Sequence, residues 1–207
     1  MISLIRRQAI GCGIALLTGA IRVGAAGASI GEVTAQRGDA WAIRHDRIQP
    51  LTMGDPVLVD DIVRTGPDTR LLVTCRDGLA IAIGGGSEVA LRAYLADRSA
   101  GRLQVALGLL HGILRLFGER SLPSRWIEVD TRTALASVRS TEWLVEADER
   151  GTGVLAITGE VEVRGLAGGV VLLRPGEGTD VAPDAPPKPA ARWGEARRKD
   201  AIARTSF

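Results

Sequence analysis

Several residue groups in this chain of 207 residues have types that could do chemistry, and each such chemistry demands its own spacing. His45 and His111 are its two histidines. Neither has cysteines or clustered carboxylates around it, and a metal ion needs a set of convergent donors, so no metal or cofactor is expected. Asp60 and Asp61, close to Asp55, could bind Ca²⁺ or serve as acid and base. Adjacent strand residues point to opposite faces, so Asp61 is expected instead to accept hydrogen bonds from backbone donors at a turn. Gly84-Gly85-Gly86 lacks the following Lys-Ser/Thr of a phosphate-binding loop. Gly86-Ser87-Glu88 reads as a turn before a strand, and no Gly-x-Ser-x-Gly elbow supplies a nucleophile. Cys75 ends the run Leu71-Leu72-Val73-Thr74-Cys75, with no histidine close in sequence, and is expected as a small buried side chain. Arg139 and Thr141 beside Glu142 could hold an anion or a partner's carboxylate, or tie two strands together; the structural role is expected. No catalytic residue is assigned, and the expectation is a protein that is not an enzyme.

The elements that must position these residues are short strands. Turn signals recur at Gly38-Asp39, Gly54-Asp55, Gly66-Pro67, Asp77-Gly78 and Gly84-Gly85-Gly86. Apolar runs lie between them, from 40 to 43, 57 to 63, 71 to 75 and 79 to 83. Arg76-Asp77-Gly78-Leu79 predicts a hairpin with a type I′ turn. Ile127-Glu128-Val129-Asp130-Thr131 and Val161-Glu162-Val163-Arg164 alternate with period two, which indicates strands with one buried face. A loose unit, glycine followed by alternating apolar residues, recurs at Gly31, Gly112 and Gly159. The reading is an all-β fold, either a short-strand β-sandwich or a β-solenoid-like stack.

The ends differ from the body. Residues 1–28 read as a signal peptide: Arg6-Arg7, an apolar run from Ala9 to Ile21, then small residues offering cleavage after Ala25 or Ala28. That run is too short to span a bilayer, so no membrane span is expected after cleavage. The twin arginines leave Sec and twin-arginine export both open. Three of the 26 basic side chains lie in this leader, which leaves 23 against 24 acidic ones, a formal −1. A near-neutral body with one Tyr and two Phe is a poor fit to nucleic acid. After the main domain (29–182), residues 183–190 form a Pro-rich linker and 191–207 a basic tail, helical over about 190–204 with Glu195 and Lys199 spaced for an ion pair. Trp193, Arg197 and Arg198 in this tail are candidate partner contacts; the alternative is a solvated helix that docks Trp193 on the domain.

From about Gly31 to Val181 the order of motifs resembles the FecR domain family. Leu51-Thr52-Met53-Gly54-Asp55 followed by Asp61-Ile62-Val63-Arg64-Thr65 is similar to one of its stretches, and Leu71 through Asp77-Gly78 to another. The most specific piece runs from Val129, Thr131 and Ala134 to Val138, Arg139, Thr141 and Trp143. Arg132 stands where the family usually has Pro, Ser140 where it has Gly, and Trp143 where it has Phe. The resemblance implies an exported periplasmic domain of the sensory kind. The expected function is therefore a sensory or protein-binding module of the cell envelope, whose partner is another envelope protein. The alternative is a structural component of an envelope or extracellular assembly.

Overall fold

The structure, a computed structural model, describes residues 27–97, 99–118, 124–138 and 142–207. The signal-peptide reading and the residues Arg139, Ser140 and Thr141 fall largely or wholly outside them. The strands are β1 (Ser29–Arg37), β2 (Ala40–Arg44), β3 (Arg47–Leu51), β4 (Pro56–Leu58), β5 (Ile62–Thr65), β6 (Arg70–Cys75), β7 (Leu79–Ile83), β8 (Glu88–Asp97) and β9 (Arg102–Gly118). They continue as β10 (Ser124–Asp130), β11 (Ala134–Val138), β12 (Glu142–Asp148), β13 (Gly151–Thr158), β14 (Val161–Gly165), β15 (Val170–Leu173), β16 (Glu177–Val181) and β17 (Ala191–Arg192), before helix α1 (Glu195–Ala203). The protein is all-β with a C-terminal helix. No helix among the described residues is long and apolar enough to cross a membrane.

The strands form two sheets. Sheet A runs β4–β1–β6–β7–β9–β12–β13–β16–β17, antiparallel throughout. Sheet B runs β3–β2–β5–β8–β9–β10–β11–β14–β15. Its β9–β10 pair is parallel. Successive hairpins alternate between the sheets, so their inner faces meet in one buried cluster that includes Leu71, Ile81, Leu107, Val129, Trp143 and Val163. Burying such side chains contributes about 1.5–3 kcal/mol each. Two facing sheets of short strands agree with the all-β fold read from the sequence.

Strand β9 belongs to both sheets. Its first part pairs with β8 and β10, and its last residues pair with β7 and β12. The crossing falls at Gly112, whose φ is +100° and where a Cβ would sit 2.2 Å from the Ser87 hydroxyl. Only glycine fits that backbone and that contact. His111 therefore lies inside a long strand, at its crossing. The triple glycine packs beside the same crossing. A Cβ on Gly85 would meet the Pro67 carbonyl at 1.8 Å, and the Ser87 hydroxyl donates to the Gly84 carbonyl at 2.8 Å while accepting from Ile113 N–H at 3.0 Å.

Two local expectations change. The run 57–63 is not one strand: Asp60 takes a left-handed φ of +70° and splits it into β4 and β5. The Asp77-Gly78 hairpin forms, with Thr74 opposite Ala80, but only Gly78 has positive φ (+85°) and its N–H bonds the Cys75 carbonyl. That is a type I turn closed by a left-handed glycine rather than type I′. The type I′ geometry occurs instead at His45-Asp46, where φ is +46° and +64°, between paired Arg44 and Arg47.

Candidate functional site

The signature residues pack inward. Val129, Ala134, Val138 and Trp143 are buried in the main core. Thr131 closes the β10–β11 turn, accepting from Ala134 N–H at 3.0 Å. Its hydroxyl meets that of Thr152 at 2.6 Å, and the Thr133 hydroxyl lies 2.7 Å from that of Thr152 and donates to the Val181 carbonyl at 3.1 Å. This buried threonine trio joins a turn of sheet B to β13 and β16 of sheet A. Fully bonded hydroxyls of this kind avoid the cost of a buried unmet polar group and fix how the two sheets meet.

A second tie uses Asp77. It accepts the Tyr94 hydroxyl at 2.5 Å, so the sheet A hairpin is bound to β8 of sheet B. Burial, and then the carboxylate beside it, push the Tyr94 hydroxyl above its ordinary value. A third lies at Asp61, 1% exposed. It accepts from Arg44 through both oxygens, at 2.7 and 3.0 Å, and from Leu58 N–H at 2.8 Å. Trp143 is the exception to this economy: its indole Nε1 is buried and has no hydrogen-bond partner among the described residues. The position suits the ring of Phe, which carries no donor.

The tail is built onto the outer face of sheet A. The segment 183–190 is not a free linker: Lys188 N–H bonds the Asp180 carbonyl, and the Thr179 hydroxyl bonds the Lys188 carbonyl at 2.7 Å. It leads into β17, which pairs with β16. Trp193 then packs with Ile113, Leu144, Leu155 and Ala201 in a separate cluster. Its ring lies so close to Gly178 that a Cβ there would be 2.2 Å from Nε1. Arg197 stacks 3.5 Å over that ring and also reaches Glu146 at 2.5 Å and Asp180 at 2.8 Å. Burial works against its charge, but the bonds to Asp180 and Glu146 prevail and push the guanidinium up. Arg204 reaches the other oxygen of Glu146 at 2.7 Å. Glu195 and Lys199 form the expected pair at 2.6 Å.

Of the three tail residues singled out in sequence, Trp193 and Arg197 are thus engaged internally, and Arg198 is left on the exposed side of α1. The residues that clamp the tail, Glu146, Asp180 and Arg204, carried no signal as isolated charges. The unbroken apolar triplets around Leu144 and Leu155 were the readable hint, because a strand covered on both faces loses its alternation.

Beside the clamp runs a groove of ≈ 730 Å³, bordered by His111, Asp148, Arg150, Lys188, Asp200 and Arg204. Arg150 bonds Asp148 at 2.6 Å and holds its carboxyl below the usual range. Arg204 pairs with Asp200 at 3.1 Å. Opposite charges are matched around the groove, and no set of three or more potential metal ligands converges among the described residues.

These features define a two-sheet β domain with its C-terminal helix clamped across one face. Residues 61–162 match the family model described as FecR protein, and the chain carries a FecR-family domain. Two solved structures, at 1.65 and 2.50 Å resolution, of a protein from Parabacteroides distasonis ATCC 8503 described as a candidate anti-sigma factor are similar in fold. Each has a TM-score of 0.53 and 19% identity over 67% of this chain. The match spans 63% and 62% of the respective chains of that protein. No curated protein matches the chain in sequence.

Proposed function

We propose that this protein is a non-enzymatic, periplasmic regulatory module that senses or binds another protein of the cell envelope. The observation that carries this reading is the clamp of α1 on sheet A. It holds the tail in a fixed place, so Arg198 and the outward Glu195–Lys199 pair form a rigid charged surface rather than a loose basic tail. A preformed surface binds without the entropy loss of ordering a flexible segment. The FecR domain and the fold shared with a candidate anti-sigma factor support a regulatory role, and the internal pairing of Asp61, Asp77 and Glu146 supports a structural use of these carboxylates. The leader reading of residues 1–28 supports export.

The test is crosslinking in cells that produce the full chain, followed by recovery from periplasmic and envelope fractions. The expected result is one reproducible envelope protein, captured by the wild type and lost in Arg198→Glu with an unchanged melt. Recovery of the chain only from the cytosol, or of no envelope protein, overturns the proposal.

A further inference from the structure

Among the described residues the two sheets end on β3, β4, β15 and β17, and three of these terminal strands are blocked in ways that prevent further pairing. β3 carries Pro50 and Arg47, β4 begins at Pro56, and β17 is two residues long and follows Pro189. Proline and charge on an edge, and very short edge strands, are the usual protections. The edge strand β15 has none of them within it: it reads Val170-Val171-Leu172-Leu173. Val170 and Leu172 are 55% and 50% exposed.

The free hydrogen-bonding groups of β15 can be located. Gly165 N–H bonds the Gly169 carbonyl, in the same register that sets Val163 opposite Val171 and Val161 opposite Leu173. Antiparallel pairs alternate between hydrogen-bonded and non-bonded. Gly169, Val171 and Leu173 therefore turn their N–H and C=O groups toward β14, while Val170 and Leu172 turn theirs outward. The outward backbone groups and the exposed apolar side chains belong to the same two residues.

We propose that the occupant of this edge is a second copy of the chain, with β15 pairing antiparallel to β15 of its twin about a two-fold axis at Val171. Setting Val170 opposite Leu172 of the second copy brings together residues with outward backbone groups on both strands. Both N–H and C=O groups of each residue are then used, and apolar side chains meet apolar side chains on the same face. The charges agree with this register. On β14, Glu162 lies beside Leu172 and Arg164 beside Val170, all four exposed. Each cross-strand row of the pair then reads Arg164, Val170, Leu172, Glu162, with the last two from the second copy. The two β14 backbones stand roughly 14 Å apart, three strand spacings, and the long side chains of opposite sign lean toward each other over the apolar pair. Within one copy the same two residues make only an exposed contact at 3.3 Å. The interface is isologous, so it closes at a dimer.

The experiment is sedimentation equilibrium on the protein recovered from cells producing the full chain, with three variants. The wild type is expected to reach dimer mass reversibly at micromolar concentration. Leu172→Pro removes an outward N–H and no bond to β14, so it should leave a monomer with the far-UV spectrum of the wild type. Leu172→Lys gives the same reading if the proline variant does not fold. Val171→Cys should form an intermolecular disulfide on oxidation, because non-hydrogen-bonded antiparallel partners have Cα atoms about 4.5 Å apart, within disulfide reach. A monomer at all concentrations overturns the proposal. So does a dimer that persists in both Leu172 variants, or one in which Val171→Cys fails to crosslink. Capture of a different protein by a monomeric chain, lost in Leu172→Lys, overturns self-pairing and assigns the edge to a foreign strand.

Discussion

The outer faces of the two sheets are opposites. On sheet A, Trp143, Leu144 and Val145 of β12 and Val154, Leu155 and Ala156 of β13 are each 0% exposed, because the sandwich covers one side and α1 with Trp193 covers the other. On sheet B, β14 keeps strict alternation, with Val161 and Val163 inside and Glu162 and Arg164 outside. Trp126, Leu95, Val170 and Leu172 stand exposed on strands of this sheet. One strand chemistry thus yields two surfaces, and what separates them is a short C-terminal segment laid over one of them. The outer face of sheet A is covered by the chain's own tail; sheet B presents its outer face and the unblocked strand β15 to whatever lies outside.

Breaking the cover on sheet A should have the largest effect. Trp193→Ala removes the side chain that seats α1 over Leu144 and Leu155, and should cost about 3 kcal/mol in chemical denaturation. The loss should be accompanied by faster amide exchange in α1 and β17 than in sheet B. Should the melt be unchanged, the helix is an ornament of the domain and not part of it. Glu146→Ala takes away the shared acceptor of Arg197 and Arg204. Because those guanidinium groups are partly exposed, solvent screens the pairs, and a loss of about 1 kcal/mol is expected, diminished further in high salt.

Trp143 sharpens the contrast from the inner side of the same sheet. Trp143→Phe deletes a buried N–H that has no partner among the described residues, which returns about 1 kcal/mol, and gives up some ring packing of similar size. Stability equal to or above the wild type is the expected outcome, measured by thermal and urea unfolding; a large loss would mean that the indole nitrogen is bonded after all.

The smallest effect belongs to sheet B. Desolvation raises the Asp130 carboxyl above its ordinary value, although Arg92, 2.9 Å away, pulls the other way. A carboxyl raised on folding favours the native state while protonated. Its contribution is complete below the unfolded value and is lost as pH rises through the folded one. Asp130→Asn should therefore lose less stability than the wild type over that rise, and an identical pH profile would contradict this.

Parts of this molecule are legible in its residues alone. The run at Leu79–Ile83 is β7 residue for residue, and Leu71–Cys75 lies within β6. Alternation at Val161–Arg164 places both faces of β14 correctly, since period two reports which side of a strand is wet. Asp61 reads as an acceptor of backbone donors and takes Leu58 N–H, but its guanidinium partner Arg44 lies 17 residues away with nothing local to announce it. The same holds for the threonine trio, where Thr131 and Thr133 are visible as a motif and Thr152 is not. Trp193 and Arg197 look like contacts for a partner because an aromatic beside basic residues suits either an interface or an internal seat. The deciding neighbours, Gly178, Glu146 and Asp180, arrive from β16 and β12.

What the sequence determined by itself is the all-β character, the hairpin at Asp77-Gly78 and the in-or-out sense of single strands, all consequences of steric preferences and burial within a few residues. The tertiary structure alone decided that β9 serves both sheets, that β9 and β10 run parallel, that the 183–190 segment is bound and that one outer face is covered. Those outcomes depend on pairing over long separations, where closing a loop costs entropy that only the completed core offsets. No local pattern records which distant strand will supply the other half of the contact.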